Sequence, residues 1–172
     1  GRDMTGFIDG TENPQFPDDR AEVALLGEDA GGFADGSFIF SHRYCHDLEK
    51  WKKLKGDAQE HVIGRTKLES IELDEDVQPE NSHVSRTVVE DDAGDEMEIL
   101  RHSLPYGDGK GDQGLFFIAY TKDLSIIDAM LERMFGTSGD GIHDRLLHFV
   151  TALDGAYYFA PSEELLEEVL ED

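Results

Sequence analysis

Phe38, Phe40 and Tyr44 occupy alternate positions in Ser37-Phe38-Ile39-Phe40-Ser41-His42-Arg43-Tyr44. Residues two apart share a face only on an extended chain, so this run predicts a β-strand with an aromatic side. A second run, Leu115-Phe116-Phe117-Ile118-Ala119-Tyr120, reads as a short buried strand, and Met97, Ile99 and Arg101 alternate along 96–104. Between them lies Pro105-Tyr106-Gly107-Asp108-Gly109-Lys110-Gly111, whose glycines predict a turn and make the two runs an antiparallel hairpin. Ala156-Tyr157-Tyr158-Phe159 supplies a last strand. Elsewhere helical spacing replaces alternation. Leu48, Trp51 and Lys55 follow an Asp47 cap, and a short helix over 57–63 stops near Gly64. Leu124, Ile127, Leu131 and Met134 form a stripe ended by Gly136, and a shorter helix is expected around 142–149. Pro161-Ser162-Glu163-Glu164 opens a C-terminal helix with acids at its positive end. Residues 15–36 read as an irregular acidic loop, and 70–82 as a polar loop in which Pro79 argues against a central strand. Alternating strands and helices with one hairpin predict an α+β fold: a ferredoxin-like (split βαβ) antiparallel sheet with helices on one face, in one domain spanning 1–172.

The chain is long enough to bury a core, with 38% hydrophobic residues and ten Phe among 172 residues. Its 15 basic and 39 acidic residues give a formal net charge of −24, which repels phosphate backbones and anionic lipid surfaces. Nucleic acid and membrane are therefore not expected as partners. The acids fall in many short clusters, a pattern of solvated surface. Cys45 is the only cysteine, so no internal disulfide can form. With no long apolar stretch and no signal-peptide core, a cytoplasmic location is expected. Gly1-Arg2-Asp3 lacks an initiator Met and leads straight into a motif, which suggests a piece of something longer.

Several residues have both a plain and a chemical reading. Asp9-Gly10, in Gly6-Phe7-Ile8-Asp9-Gly10-Thr11-Glu12-Asn13-Pro14, reads as a turn, as do Asp35-Gly36, Asp108-Gly109, Asp140-Gly141 and Asp154-Gly155. His83, between a loop and an ordered element, fits a surface or hydrogen-bonded residue or a ligand. Arg101 lies in an apolar strand pattern; it points to solvent or, if buried, needs an acid such as Asp9. His42 and His46 flank Cys45 at a spacing that would bind zinc only from a helix, whereas His42 falls on a strand. Gly107, Gly109, Gly111 and Gly114 carry a G-x-G-x-G-x-x-G spacing with no helix behind it, so a nucleotide loop is not expected.

Taken together, five stretches resemble the dye-decolourising peroxidases, in the bacterial branch. They are the Gly6–Pro14 motif, Val62-Ile63-Gly64-Arg65-Thr66-Lys67, Asn81-Ser82-His83-Val84, Leu100-Arg101-His102-Ser103-Leu104-Pro105-Tyr106-Gly107, and Gly155-Ala156-Tyr157-Tyr158-Phe159-Ala160-Pro161-Ser162. They occur in the family's order and approximate spacing. The resemblance runs from about residue 3 to the C-terminus and covers the second half of a typical member, both of whose halves are ferredoxin-like.

The resemblance implies a haem peroxidase that uses haem b, with hydrogen peroxide as oxidant and a bulky phenolic or dye-like electron donor. His83 matches the proximal iron ligand, Asp9 the distal acid, Arg101 the distal arginine and Ser103 a polar neighbour. Asp144 resembles the acid that bonds the proximal imidazole, and Arg65 and Arg86 match partners for the haem carboxylates. Trp51, Tyr106, Tyr157 or Tyr158 could relay electrons, or simply fill core and interface. Two alternatives are a haem-binding or haem-delivery module without turnover and a haem-free acidic interaction domain. Coverage of one half implies an exposed apolar face, and so a homo-oligomer or a companion N-terminal half.

Overall fold

The computed structural model describes residues 1–107 and 111–171. Its sheet contains β1 (Ser37–His46), β2 (Leu100–Arg101), β3 (Leu104–Gly107), β4 (Gln113–Thr121) and β5 (Val150–Ala160). Each neighbouring pair is antiparallel. The order is β2-β4-β1-β5, with β3 also paired to β4. Because β2 and β3 lie along the same edge of β4, they act as one strand interrupted at His102-Ser103. Counted that way, the order is that of a split βαβ unit, and the fold is α+β and ferredoxin-like.

Cross-strand register sets the two faces. Phe40 lies opposite Ala119 and Tyr157, so these three side chains share a face. Onto it packs α5 (Leu124–Phe135), whose Ile126 and Ile127 form a core cluster with Phe40, Ile99 and Ala119. Ile39, Ile118, Phe116 and Tyr158 lie on the other face, where Phe116 and Tyr158 are exposed. A second cluster joins Phe7, Trp51, Val62 and Phe149. Each fully buried side chain of this size contributes roughly 1.5–3 kcal/mol. The Trp51 indole also donates to the Thr5 carbonyl oxygen at 3.0 Å, which ties the first loop to the core.

The helices begin and end where local chemistry directs. Asp47 caps α2 (Leu48–Trp51), and Asp123 caps α5 by accepting from the Ser125 amide at 2.9 Å. Gly64 and Gly136, both left-handed, end α3 (Gly56–Ile63) and α5. A C-terminal helix, α6 (Glu163–Glu171), carries acids in its first turn. Among the described residues no helix is long and apolar enough to cross a membrane.

Four expectations are corrected. Residues 15–36 are not irregular: they hold α1 (Pro17–Ala24), with Pro17 at its first turn, and a 3-10 segment over Glu28–Phe33. Pro105–Gly107 is strand rather than turn, an edge position where proline's missing N–H costs no ladder bond. The Asp108-Gly109 turn and the middle of the Gly107–Gly114 spacing lie outside the described residues. Asp154-Gly155 is inside β5, where the register shifts between Arg43 and Tyr44, leaving Leu153 as an extra residue. The helix expected around 142–149 is a four-residue 3-10 turn, Arg145–His148.

Candidate functional site

The sheet face that carries Phe40 and Tyr44 forms one wall of a cavity. α5 adds Met130 and Leu131, the first loop adds Asp9, and β2 adds Arg101. His83 opens α4 (His83–Thr87) on the same cavity. Its place is fixed from beneath. The Ser82 side chain is buried, caps α4 through the Ser85 amide at 3.2 Å and donates to the Ser85 hydroxyl at 2.8 Å. Arg133 of α5 donates to the Ser85 carbonyl at 2.7 Å, while Arg86 Nε donates to the Arg133 carbonyl at 3.0 Å, so α4 and α5 clasp each other.

His83 Nδ1 lies 2.6 Å from Asp144 Oδ2. Asp144 is wholly buried and tied on every side. Its amide donates to the Met134 carbonyl at 2.8 Å, and its Oδ1 accepts from the Leu146 amide at 2.8 Å. An ionised acid in this position fixes the imidazole tautomer: Nδ1 carries the proton and Nε2 is left with its lone pair. Burial, and then the charge of Asp144, push the Tyr44 hydroxyl well above its usual pKa.

Asp9 and Arg101 are placed differently. Gly10 has φ 77°, a left-handed turn that glycine adopts without a steric penalty, and it follows Asp9 in the loop. The Asp9 amide donates to the Gly1 carbonyl at 3.1 Å. Asn13 then locks this loop to β2: its Nδ2 donates to the Arg101 carbonyl at 2.6 Å, and its Oδ1 accepts from the Arg101 amide at 2.9 Å. The backbones are thus fixed, while neither the Asp9 carboxylate nor the Arg101 guanidinium has a hydrogen-bond or ion-pair partner among the described residues. The Asp9–Arg101 ion pair considered from the sequence is not formed.

Three other candidates fall at different distances from the cavity. Arg65 lines it, donates to the Ser70 carbonyl at 2.7 Å and to Glu72 at 3.0 Å, and forms an ion pair with Glu12 at 2.7 Å. Arg86 does not reach it. Its guanidinium is buried against Asp140, 2.7 Å away, and it serves to hold α4 on the end of α5. Ser103 is not a lining residue either, and its hydroxyl is buried without a partner.

Sequence reasoning missed Asn13 as a clasp and His46 in the wall. Asn13 could have been suspected from the polar run Thr11-Glu12-Asn13 after a glycine turn. His46 is buried on the cavity with Nδ1 unpartnered; burial lowers its pKa against the charge of Asp3. His42 and His46 both lie on β1, roughly 13 Å apart along a strand, too far to share an ion. Among the described residues no group of three or more His, Cys, Asp or Glu is placed to hold a metal. Trp51 is buried, while Tyr157 and Tyr158 are exposed on β5.

The donor set suits an iron porphyrin. One imidazole nitrogen is held by a buried acid and the other is left for a metal, apolar walls from the sheet and α5 suit a macrocycle, and Arg65 offers a cation for its carboxylates.

Residues 1–165 match the model of the family described as Dyp-type peroxidase, C-terminal. The dye-decolorizing peroxidase of Mycobacterium tuberculosis is 41% identical over 167 residues, covering 96% of this chain and 50% of its own length. The solved structure of a dye-decolorizing protein from V. cholerae aligns with a TM-score of 0.90 at 51% identity, over 97% of this chain and 54% of that one. A variant of DypB from Rhodococcus jostii RHA1 in complex with haem aligns at 0.91 and 46%, over 96% of this chain and 54% of its own. The chain spans about half the length of the curated relatives it matches.

Proposed function

This chain belongs to the Dyp-type peroxidase family, and from that premise we propose that it is the haem-binding part of a peroxidase that reduces hydrogen peroxide at the expense of bulky phenolic or dye-like donors. The observation that carries this reading is the His83–Asp144 couple on a cavity that also presents an unpaired Asp9 and Arg101. His83 Nε2 is the iron ligand. Asp144, by accepting from Nδ1, raises the basicity of that nitrogen. The family likeness implies that the haem is haem b.

Haem, when bound, supplies the iron through which electrons pass to peroxide and are later recovered from the donor. The chain's own residues manage protons and charge. The Asp9 carboxylate accepts a proton from one peroxide oxygen and returns it to the other, which leaves as water. Arg101 stays cationic and directs its N–H fork at the negative charge that grows as the O–O bond breaks. Each peroxide takes two electrons and two further protons to give two waters, so two one-electron donors are consumed per turnover. Arg65 donates to a haem carboxylate through N–H groups not engaged by Ser70 and Glu72. Arg86 acts by positioning α4.

The open sheet face with Phe116 and Tyr158 supports association with a companion domain or a second copy; a monodisperse monomer by light scattering would count against this. The function itself is tested by adding haem to the chain and recording its visible spectrum, then adding peroxide and a bulky dye. A haem band with peroxide-dependent bleaching is expected. Binding without bleaching would leave a haem-binding module, and no band at all would remove haem from the account.

A further inference from the structure

We propose that His143 and His148 form a surface site for one divalent transition-metal ion of the copper(II) class, separate from the cavity. The two Nε2 atoms lie 3.0 Å apart, with ring centroids 5.2 Å apart and ring planes at 52°. Both residues are exposed, and neither lines the cavity. Among the described residues each ring's hydrogen bonding is confined to this contact, so at least one nitrogen offers its lone pair there.

The distance selects the ion. With metal–imidazole bonds of about 2.0–2.1 Å, two nitrogens 3.0 Å apart subtend roughly 94° at the metal. That is close to the right angle between adjacent positions of a square-planar or tetragonal ion and well short of the tetrahedral angle favoured by zinc. Copper(II) takes that geometry and ranks highest in affinity for nitrogen sites. Binding moves the proton shared by the rings to the donor ring's own Nδ1 and turns one ring slightly, so that both Nε2 lone pairs meet on the ion, with water in the remaining positions.

The segment between the two rings is already rigid, so little order remains to be imposed. Asp144 bonds Met134 and Leu146, the Arg145 amide donates to the Asn81 carbonyl at 2.9 Å, and the Phe149 amide donates to the Leu146 carbonyl at 2.8 Å. The nearby cation, Lys50, is occupied by the His148 carbonyl at 2.7 Å and the Phe149 ring. The net charge of −24 favours cation approach in general, but carboxylates prefer hard ions, whereas an imidazole pair prefers copper or nickel. An ion here would bridge the residue before Asp144 and the residue four beyond it, closing a clamp around the acid that holds His83.

The test is copper(II) titration of the full chain by calorimetry, with electron paramagnetic resonance of the one-to-one complex. Two imidazole nitrogens in the wild-type hyperfine pattern are expected. Each of His143→Asn and His148→Asn should leave one and weaken binding at least about tenfold, with excess magnesium failing to displace the copper. An oxygen-only pattern in the wild type, displacement by magnesium, or affinity unchanged in both variants would overturn the proposal. The wild-type spectrum decides the matter even if a variant folds poorly.

Discussion

His83 is held through its Nδ1 by a buried acid inside the fold; at Asp9 and Arg101 the backbone is bonded and the charged groups have no partner among the described residues. The first arrangement suits a group that must hold one position, since Asp144 orients the imidazole before any ligand arrives. The second suits groups that must meet a small substrate. A carboxylate and a guanidinium already paired with each other would have to part to receive it, and Asn13 holds their segments together without pairing them. The contrast separates two jobs, ligand holding and proton handling, onto different pieces of the cavity wall.

The largest effect should come from His83→Ala, which should lose nearly all haem. His102 is exposed between β2 and β3, and His143 lies off the cavity, so neither can replace it. Retention of a normal haem band in that variant would break the comparison at once. Next are Asp9→Asn and Arg101→Ala, which should keep haem and slow the reaction with peroxide by about 10²–10³ in stopped-flow mixing. Because these side chains have no partners among the described residues, the stability of each variant should change by less than about 0.5 kcal/mol. Asp144→Ala should do the reverse. It should weaken haem binding by about 10–100-fold and cost roughly 2–4 kcal/mol in denaturant unfolding, since it leaves a turn uncapped and an imidazole unheld.

The smallest effect sharpens the supporting layer. The Asp140 carboxyl is held down to about 2 by the Ile142 amide and then by Arg86, the residue that fixes α4. A carboxyl depressed in the folded state adds stability that is present above its unfolded value near 3.8 and lost as pH falls through about 2. Asp140→Asn should therefore lower the melting temperature at neutral pH and flatten its fall between about pH 4 and pH 2, so that the two proteins converge in acid. An unchanged acid profile would show that this contact is incidental.

Local pattern was enough to place β1, α5 and their stops, because aromatic alternation, an apolar helical stripe, a cap and a left-handed glycine each act within a few residues. What failed had causes at longer range. The bulge that absorbs Asp154-Gly155 exists because β5 must stay paired with β1 across a register shift, which no turn propensity reports. Pro105 reads as a breaker until β3 is seen to be an edge. At the site, His83, Asp9 and Arg101 drew notice from local pattern, but their roles, and Asp144 altogether, came only through a family likeness, since the partners lie far apart in sequence. Arg86 was misplaced for the same reason: its sequence neighbours give no sign of the α5 carbonyl and Asp140 that bury it.

The division of labour rests on Asp144 acting through His83 on the iron. The most direct measurement is the iron–nitrogen stretching frequency of the ferrous, haem-loaded chain by resonance Raman, compared between wild type and Asp144→Asn. The account predicts a lower frequency in the variant, because a neutral amide accepts the Nδ1 proton less strongly and leaves Nε2 a weaker donor. The same frequency in both proteins, with haem occupancy matched, would contradict it.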